Sequence, residues 1–194
     1  MNGPTRLTLL RMGLIPVILG LSYLGSPWDS WASLAVFLIA SSTDFLDGYL
    51  ARKNNQVTML GKMLDPLADK LLVLTAFLIL LERSMIPAWL VLVLIGREMG
   101  ITGLRAFLAA ERIVLAASKL GKWKMVFQVI ALSFLFVGSE AEVFRIIGLA
   151  GVVIALVLSL VSAYAYVARF WKLLGEKIIA EQSKKGSPAH DANG

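Results

Sequence analysis

Along this chain, apolar residues come in six long stretches separated by short polar breaks. The stretches cover about 7–25, 30–52, 65–82, 86–110, 122–139 and 143–172. Each can supply the roughly 20 residues that a helix needs to cross a hydrocarbon core about 30 Å thick. The breaks hold the polar and turn-forming residues: Gly25 to Asp29, Lys53 to Leu64, Glu82-Arg83-Ser84, Glu111 to Gly121, and Ser139 to Glu142. The pattern predicts an all-α integral membrane protein, a six-transmembrane-helix bundle, with one membrane domain over residues 1–172. Spans two, four and six exceed one crossing, so their ends are expected to project past the lipid. Residues 173–194 read as a basic tail, largely disordered, most clearly from Gln182 to Gly194. The first stretch, Leu7 to Leu24, resembles the others and is expected to stay as a helix, not to be cleaved as a leader.

Composition narrows the chemistry. Hydrophobic residues make up 58% of the 194, charged residues only 16%, and mean hydropathy is +0.76, more apolar surface than a soluble domain of this size could bury. There is no cysteine, and the single histidine, His190, lies in the tail. Thiolate sites, disulfides and histidine-based triads are therefore excluded. Any metal chemistry must rest on carboxylates, which select hard cations such as Mg²⁺ or Mn²⁺.

Charge sets an orientation. If both termini share one side, that side collects every one of the 19 Lys and Arg except Arg83 and Arg145. The positive-inside rule makes it the cytosolic side. The net charge of +6 then calls for membrane lipids with anionic headgroups as partners, and for no nucleic acid.

Four acids stand on that same side, bordering apolar stretches: Asp44, Asp47, Asp65 and Asp69. A carboxylate at bilayer depth costs roughly 2.5–3.5 kcal/mol, so four unpaired ones would cost on the order of 10–14 kcal/mol. The pattern reads Asp44-x-x-Asp47-Gly48-x-x-Ala51-Arg52, then eight residues, then Gly61-x-x-x-Asp65-x-x-x-Asp69. On a helix, offsets of three, four and seven share one face, so Asp44, Asp47, Gly48 and Ala51 form a stripe. Gly61, Asp65 and Asp69 repeat that logic; alternatively Asp65-Pro66 caps a helix and Gly61 belongs to the approaching loop. Four carboxylates converging from two helices can hold two divalent cations, which bridge phosphate oxygens and neutralise a leaving phosphate. Gly48 and Ala51 let a flat group lie against the backbone, and Arg52 offers a positive fork to a phosphate. Together these residues point to phosphoryl transfer at a membrane surface. Intramembrane aspartates also serve ion pathways and proton relays, so a divalent-cation transporter is the rival reading. Against it, spans one, five and six show few polar residues leading to the opposite face.

The stretch DFLDGYLARKNNQVTMLGKMLDPLAD resembles the signature of the CDP-alcohol phosphatidyltransferase family, with every signature position filled. The resemblance extends over about 1–172. It implies six transmembrane helices, a homodimer, and a cytosol-facing polar cavity holding two Mg²⁺ or Mn²⁺ ions. It further implies Asp44, Asp47 and Asp65 as metal ligands, and Asp69 as the catalytic base that also touches metal. Gly48, Ala51, Arg52 and Gly61 would cradle the cytidine diphosphate. The implied reaction is attack of an alcohol on the lipid-bearing phosphorus of CDP-diacylglycerol, with CMP leaving.

For the acceptor, three further stretches are similar to bacterial phosphatidylglycerophosphate synthases, enzymes of the bacterial cytoplasmic membrane that use glycerol 3-phosphate. They are Pro4 to Arg11, Gly96 to Arg105, and Ser118 to Lys124; Met125 departs from the threonine expected there. An anionic acceptor also fits the charges. Arg97 and Arg105, eight apart, share a helix face, and Lys119 and Lys122 cluster at the next helix entrance, where backbone N–H groups favour anions. Lys124 is a weaker candidate, and all of these could instead snorkel to headgroups. Inositol phosphate, serine or a lipid alcohol would be the other acceptors. Thr5, Thr8 and Thr43 could donate near the nucleotide or cap backbone, and Trp28, Trp31 and Trp89 read as interfacial anchors.

Overall fold

The computed structural model describes residues 3–25, 28–54, 59–110 and 119–185, with side chains described at 7–25, 28–43, 64–110 and 123–175. Among them there are six helices and no strand. They are α1 Gly3–Ser22, α2 Asp29–Asn54, α3 Met59–Glu82, α4 Ala88–Ala110, α5 Lys119–Phe136 and α6 Glu142–Lys185.

These helices follow the six apolar stretches in order, and the differences lie at their ends. α3 begins at Met59, so Gly61 is helical and Asp65 is not a cap; Pro66 sits inside the helix, where it withdraws one i→i−4 hydrogen bond. Of the two alternatives at Gly61, the continuous helix is the one formed. α6 continues through Lys185, so the first part of the expected disordered tail is helical. The recurrence of Lys177, Glu181 and Lys185 every fourth residue favours helix there. Residues 186–194 lie outside the described ones.

One described segment, Glu142–Gly175, is long and apolar enough by itself to cross a membrane, with mean hydropathy 2.7. Leu7–Ser22 and Trp123–Phe136 are apolar but shorter. α3 and α4 have the length, but charges interrupt them: Asp65, Asp69 and Lys70 in one, Arg97, Glu98 and Arg105 in the other.

α3 is the hub, packed by α1, α2, α4 and α5, while α6 is gripped by α5 along one side and α4 on the other. The main core joins Ile18, Phe37, Leu72, Phe77, Leu80, Leu94, Leu132, Phe136 and Val152, with the Phe37 and Phe136 rings 5.4 Å apart. α5 and α6 approach closely because Gly148 and Gly151 carry no side chain. A Cβ at Gly151 would stand 2.8 Å from that of Ala131. The outer surface carries many large apolar side chains: Leu92 is 72% exposed, Trp28 71% and Tyr164 79%. Such a surface is suited to lipid, not to water.

At the end of the bundle away from the aspartates, polar groups tie the turns together. Arg83 donates to Asp29 Oδ2 at 3.0 Å, Ser30 Oγ at 2.9 Å and the Ser22 carbonyl at 3.0 Å. Tyr23 donates to Glu82 at 2.8 Å. α3 ends in a Schellman turn: Met85 N–H bonds the Leu80 carbonyl and Ser84 N–H that of Leu81. Its left-handed position, usually glycine, is Ser84 with φ 55°.

Candidate active site

The second half of the aspartate motif lies near the beginning of α3, on two successive turns. Asp65 accepts a hydrogen bond from the hydroxyl of Thr8 on α1. Asp69 lines a cavity of about 350 Å³ between α2, α3 and α5, together with Ser41, Ser42, Leu72, Met125 and Val129. The Ser41 hydroxyl is buried without a hydrogen-bond partner among the described residues. Thr8 and Arg11, three apart on α1, are both fully buried.

The first half of the motif follows directly on α2. Ser41 and Ser42 share the cavity with Asp69, and Thr43 is buried, so the backbone leading into Asp44 runs alongside α3. Asp44, Asp47, Gly48, Ala51 and Arg52 belong to the last turns of α2, and Gly61 to the first turn of α3. Their side chains lie outside the described ones, as do those of Lys119 and Lys122 in the first turn of α5. Among the described residues, no three metal-ligating side chains converge. The described groups at Asp65 and Asp69 include oxygen ligands of the right kind: the two carboxylates, the Thr8 hydroxyl on Asp65, and the Ser41 and Ser42 hydroxyls in the Asp69 cavity. That donor set fits a hard divalent cation.

The next residue on α3 turns to different company. Lys70 donates to the Thr102 hydroxyl on α4 at 2.6 Å, and Thr102 donates to the Glu98 carbonyl at 2.8 Å. The Glu98 carboxylate pairs with Lys124 of α5, and with Arg97 at 3.2 Å. Arg97 in turn donates through Nε to the Ser159 carbonyl of α6 at 2.8 Å. Lys124, Gln128, Ser159, Ser162 and Tyr166 are all buried here. Three cations, Lys70, Arg97 and Lys124, thus attract one carboxylate.

The predicted acceptor residues therefore separate. Arg97 is in this cluster, held through Nε by the Ser159 carbonyl and through Nη1 by Glu98. Arg105 is exposed and lies over the Tyr166 ring, its guanidinium carbon 5.4 Å from the centroid. Lys124, the weaker candidate from sequence, is the buried lysine at the centre. Glu98, which in the sequence reads only as a counter-charge too small for both Arg97 and Arg105, is the centre of the cluster. Lys70 and Thr102 join it through the four-residue offset from Glu98 to Thr102. Arg11, one of the basic residues of the cytosolic side by sequence, is fully buried, its offset of three from Thr8 placing both on one face. Met125 lines the Asp69 cavity, so the departure from threonine falls inside the site.

The sequence profile of the CDP-alcohol phosphatidyltransferase family matches residues 1–172. A Bacillus subtilis protein named CDP-diacylglycerol–glycerol-3-phosphate 3-phosphatidyltransferase is 41% identical over 191 residues, 89% of this chain and 97% of its own. A Rickettsia bellii protein of the same name is 41% identical over 168 residues, 85% of this chain and 93% of its own. A rice protein named cardiolipin synthase (CMP-forming) is 33% identical over 190 residues, 88% of this chain and 58% of its own.

Proposed function

The chain belongs to the CDP-alcohol phosphatidyltransferase family, and on that premise we propose that it transfers a phosphatidyl group from CDP-diacylglycerol to glycerol 3-phosphate, releasing CMP and forming phosphatidylglycerol phosphate. The names of the Bacillus and Rickettsia relatives support both substrates. The observation that carries the reading is the adjacency of two unlike sites on α3: Asp69 faces the cavity, and the neighbouring Lys70 belongs to the cation-rich cluster. A phosphorylated alcohol needs that pair, a base for its hydroxyl and cations for its phosphate.

In this reading Asp44, Asp47, Asp65 and Asp69 hold two divalent cations, Mg²⁺ or Mn²⁺. When bound, these neutralise the diphosphate and the developing charge on CMP. Thr8 fixes the Asp65 carboxylate. Gly48, Ala51, Arg52 and Gly61 receive the cytidine diphosphate. Arg97 and Lys124 bind the acceptor phosphate, with Arg105, Lys119 and Lys122 around the entrance. Asp69 takes the proton of the acceptor hydroxyl as its oxygen bonds to the lipid-bearing phosphorus. The bond from that phosphorus to the CMP oxygen breaks, and CMP leaves with the electron pair.

The same reading makes all six helices membrane spans, with Asp69, Lys70, Arg97 and Glu98 of α3 and α4 engaged within the bundle and Arg105 near its cytosolic edge. It puts both termini and the acids on the cytosolic side of a bacterial cytoplasmic membrane, in a homodimer. A distribution of basic residues that leaves only Arg83 and Arg145 opposite supports the orientation.

The test is CMP release by the purified protein with CDP-diacylglycerol and Mg²⁺, offering glycerol 3-phosphate, inositol phosphate, serine or phosphatidylglycerol separately. Release with glycerol 3-phosphate alone is expected. Release with phosphatidylglycerol instead would align the chain with the rice relative's name. Metal-dependent accumulation of Mg²⁺ in vesicles without CMP release would favour the transporter.

A further inference from the structure

We propose that Glu98 is a positioning residue for the acceptor phosphate, holding Lys124 and Arg97 at the spacing that a phosphate monoester requires. The proposal rests on the reading above and deepens it, because Glu98 touches neither substrate and acts through the two cations. One residue gathers groups from three helices. Its carboxylate takes Lys124 of α5 and Arg97 of α4, and its carbonyl takes Thr102, which holds Lys70 of α3. Arg97 is fixed at its far side by the Ser159 carbonyl of α6.

Two features separate this from an ordinary structural ion pair. The first is charge: the Glu98 carboxylate attracts three cations. The two it pairs with, Arg97 and Lys124, have nearly buried side chains, which favours a further anion beside them. A phosphate dianion is such an anion. The second is register. Lys70 and Lys124 immediately follow or precede residues that line the Asp69 cavity, Asp69 itself and Met125. The cluster and the cavity therefore adjoin along α3 and α5, the arrangement required by an alcohol whose phosphate sits on Lys124 and Arg97. With Glu98 present, Lys124 and Arg97 are held side by side against their mutual repulsion. Without it they separate, and the phosphate loses a two-point contact while the CDP-diacylglycerol side of the site is untouched.

The experiment uses the full-length protein in detergent, with Glu98→Gln, Glu98→Asp, Lys124→Met and the double variant Glu98→Gln/Lys124→Met. Initial rates are measured against each substrate separately, and thermal melting is followed in parallel. Glu98→Gln is expected to raise KM for glycerol 3-phosphate about tenfold or more, the loss of a charged hydrogen-bonding partner. KM for CDP-diacylglycerol should stay within about twofold. Glu98→Asp should restore part of the loss. The double variant should lose clearly less than the sum of the two single losses, because Glu98 acts in part through that lysine. Should Glu98→Gln not fold, Glu98→Asp carries the test through the same split between the two KM values. A parallel rise in both KM values, unchanged kinetics, or losses that add in the double variant would each overturn the assignment. If the unmodified protein uses an unphosphorylated alcohol and not glycerol 3-phosphate, the functional reading falls and this one with it. If it uses glycerol 3-phosphate and Glu98→Gln is indistinguishable from it, this inference falls alone.

Discussion

The two ends of the bundle each carry an ionic cluster built on an arginine, and the two differ in charge balance. At one end Arg83 meets Asp29, with Ser30 and the Ser22 carbonyl taking its remaining donors. At the other, Arg97, Lys124 and Lys70 surround Glu98. The Arg83 cluster is complete within the protein: one cation, one carboxylate, and neutral acceptors for the rest. The Glu98 cluster sets one partly exposed carboxylate against three cations, two of them with nearly buried side chains. Balance marks a staple between turns, and imbalance marks a site for an anion. Both would look alike in a sequence that shows only charged residues at helix ends.

The comparison can be broken at several points. Asp69→Asn lies beside the unbalanced cluster and removes the proposed base. It should lower CMP release by roughly 10²–10⁴-fold with little change in melting temperature; activity near that of the unmodified protein would take Asp69 out of the proton-transfer role. Arg97→Met should raise KM for glycerol 3-phosphate about tenfold while also lowering thermal stability, because the Ser159 carbonyl loses its donor. Arg105→Ala, at an exposed side chain stacked on Tyr166, should change KM by only a few-fold, in keeping with a cation–π contact worth about 0.5–1 kcal/mol. A larger effect at Arg105 than at Arg97 would move the phosphate site toward the entrance.

The balanced cluster should respond in stability alone. Arg83→Met is expected to cost roughly 1–3 kcal/mol, leaving Asp29 without its partner, with both KM values unchanged in steady-state assays. In the adjoining turn, Ser84→Gly should stabilise by about 0.5–1 kcal/mol in detergent melting, since glycine takes φ 55° without strain. A fall in stability would mean that the Ser84 side chain contributes more than its backbone conformation costs.

Much of the fold was legible in advance because long apolar stretches separated by short polar breaks favour helices of that length. The six stretches gave six helices, and the Gly61, Asp65, Asp69 spacing gave a continuous face once α3 was known to begin at Met59. Helix ends were less legible. Pro66 reads equally as a first-turn proline or an interior one, and the polar continuation of α6 to Lys185 reads as disorder by composition. The acceptor side was the least legible, because spacing within one helix says nothing about which neighbour lies opposite. Arg97 and Arg105 share a helical register, yet Ser159 and Glu98 hold the first while Tyr166 carries the second. Lys124 gained weight only from its partner 26 positions away.

By itself, then, the sequence determined the helical class, through periodicities within single segments, and the family, through the motif it carries and the profile it matches. Only the tertiary structure decided which acid faces the cavity, which cations are shared with Glu98, and which arginine is a staple. Those outcomes depend on contacts between helices far apart in the chain, and on the balance of charge that results when they pack.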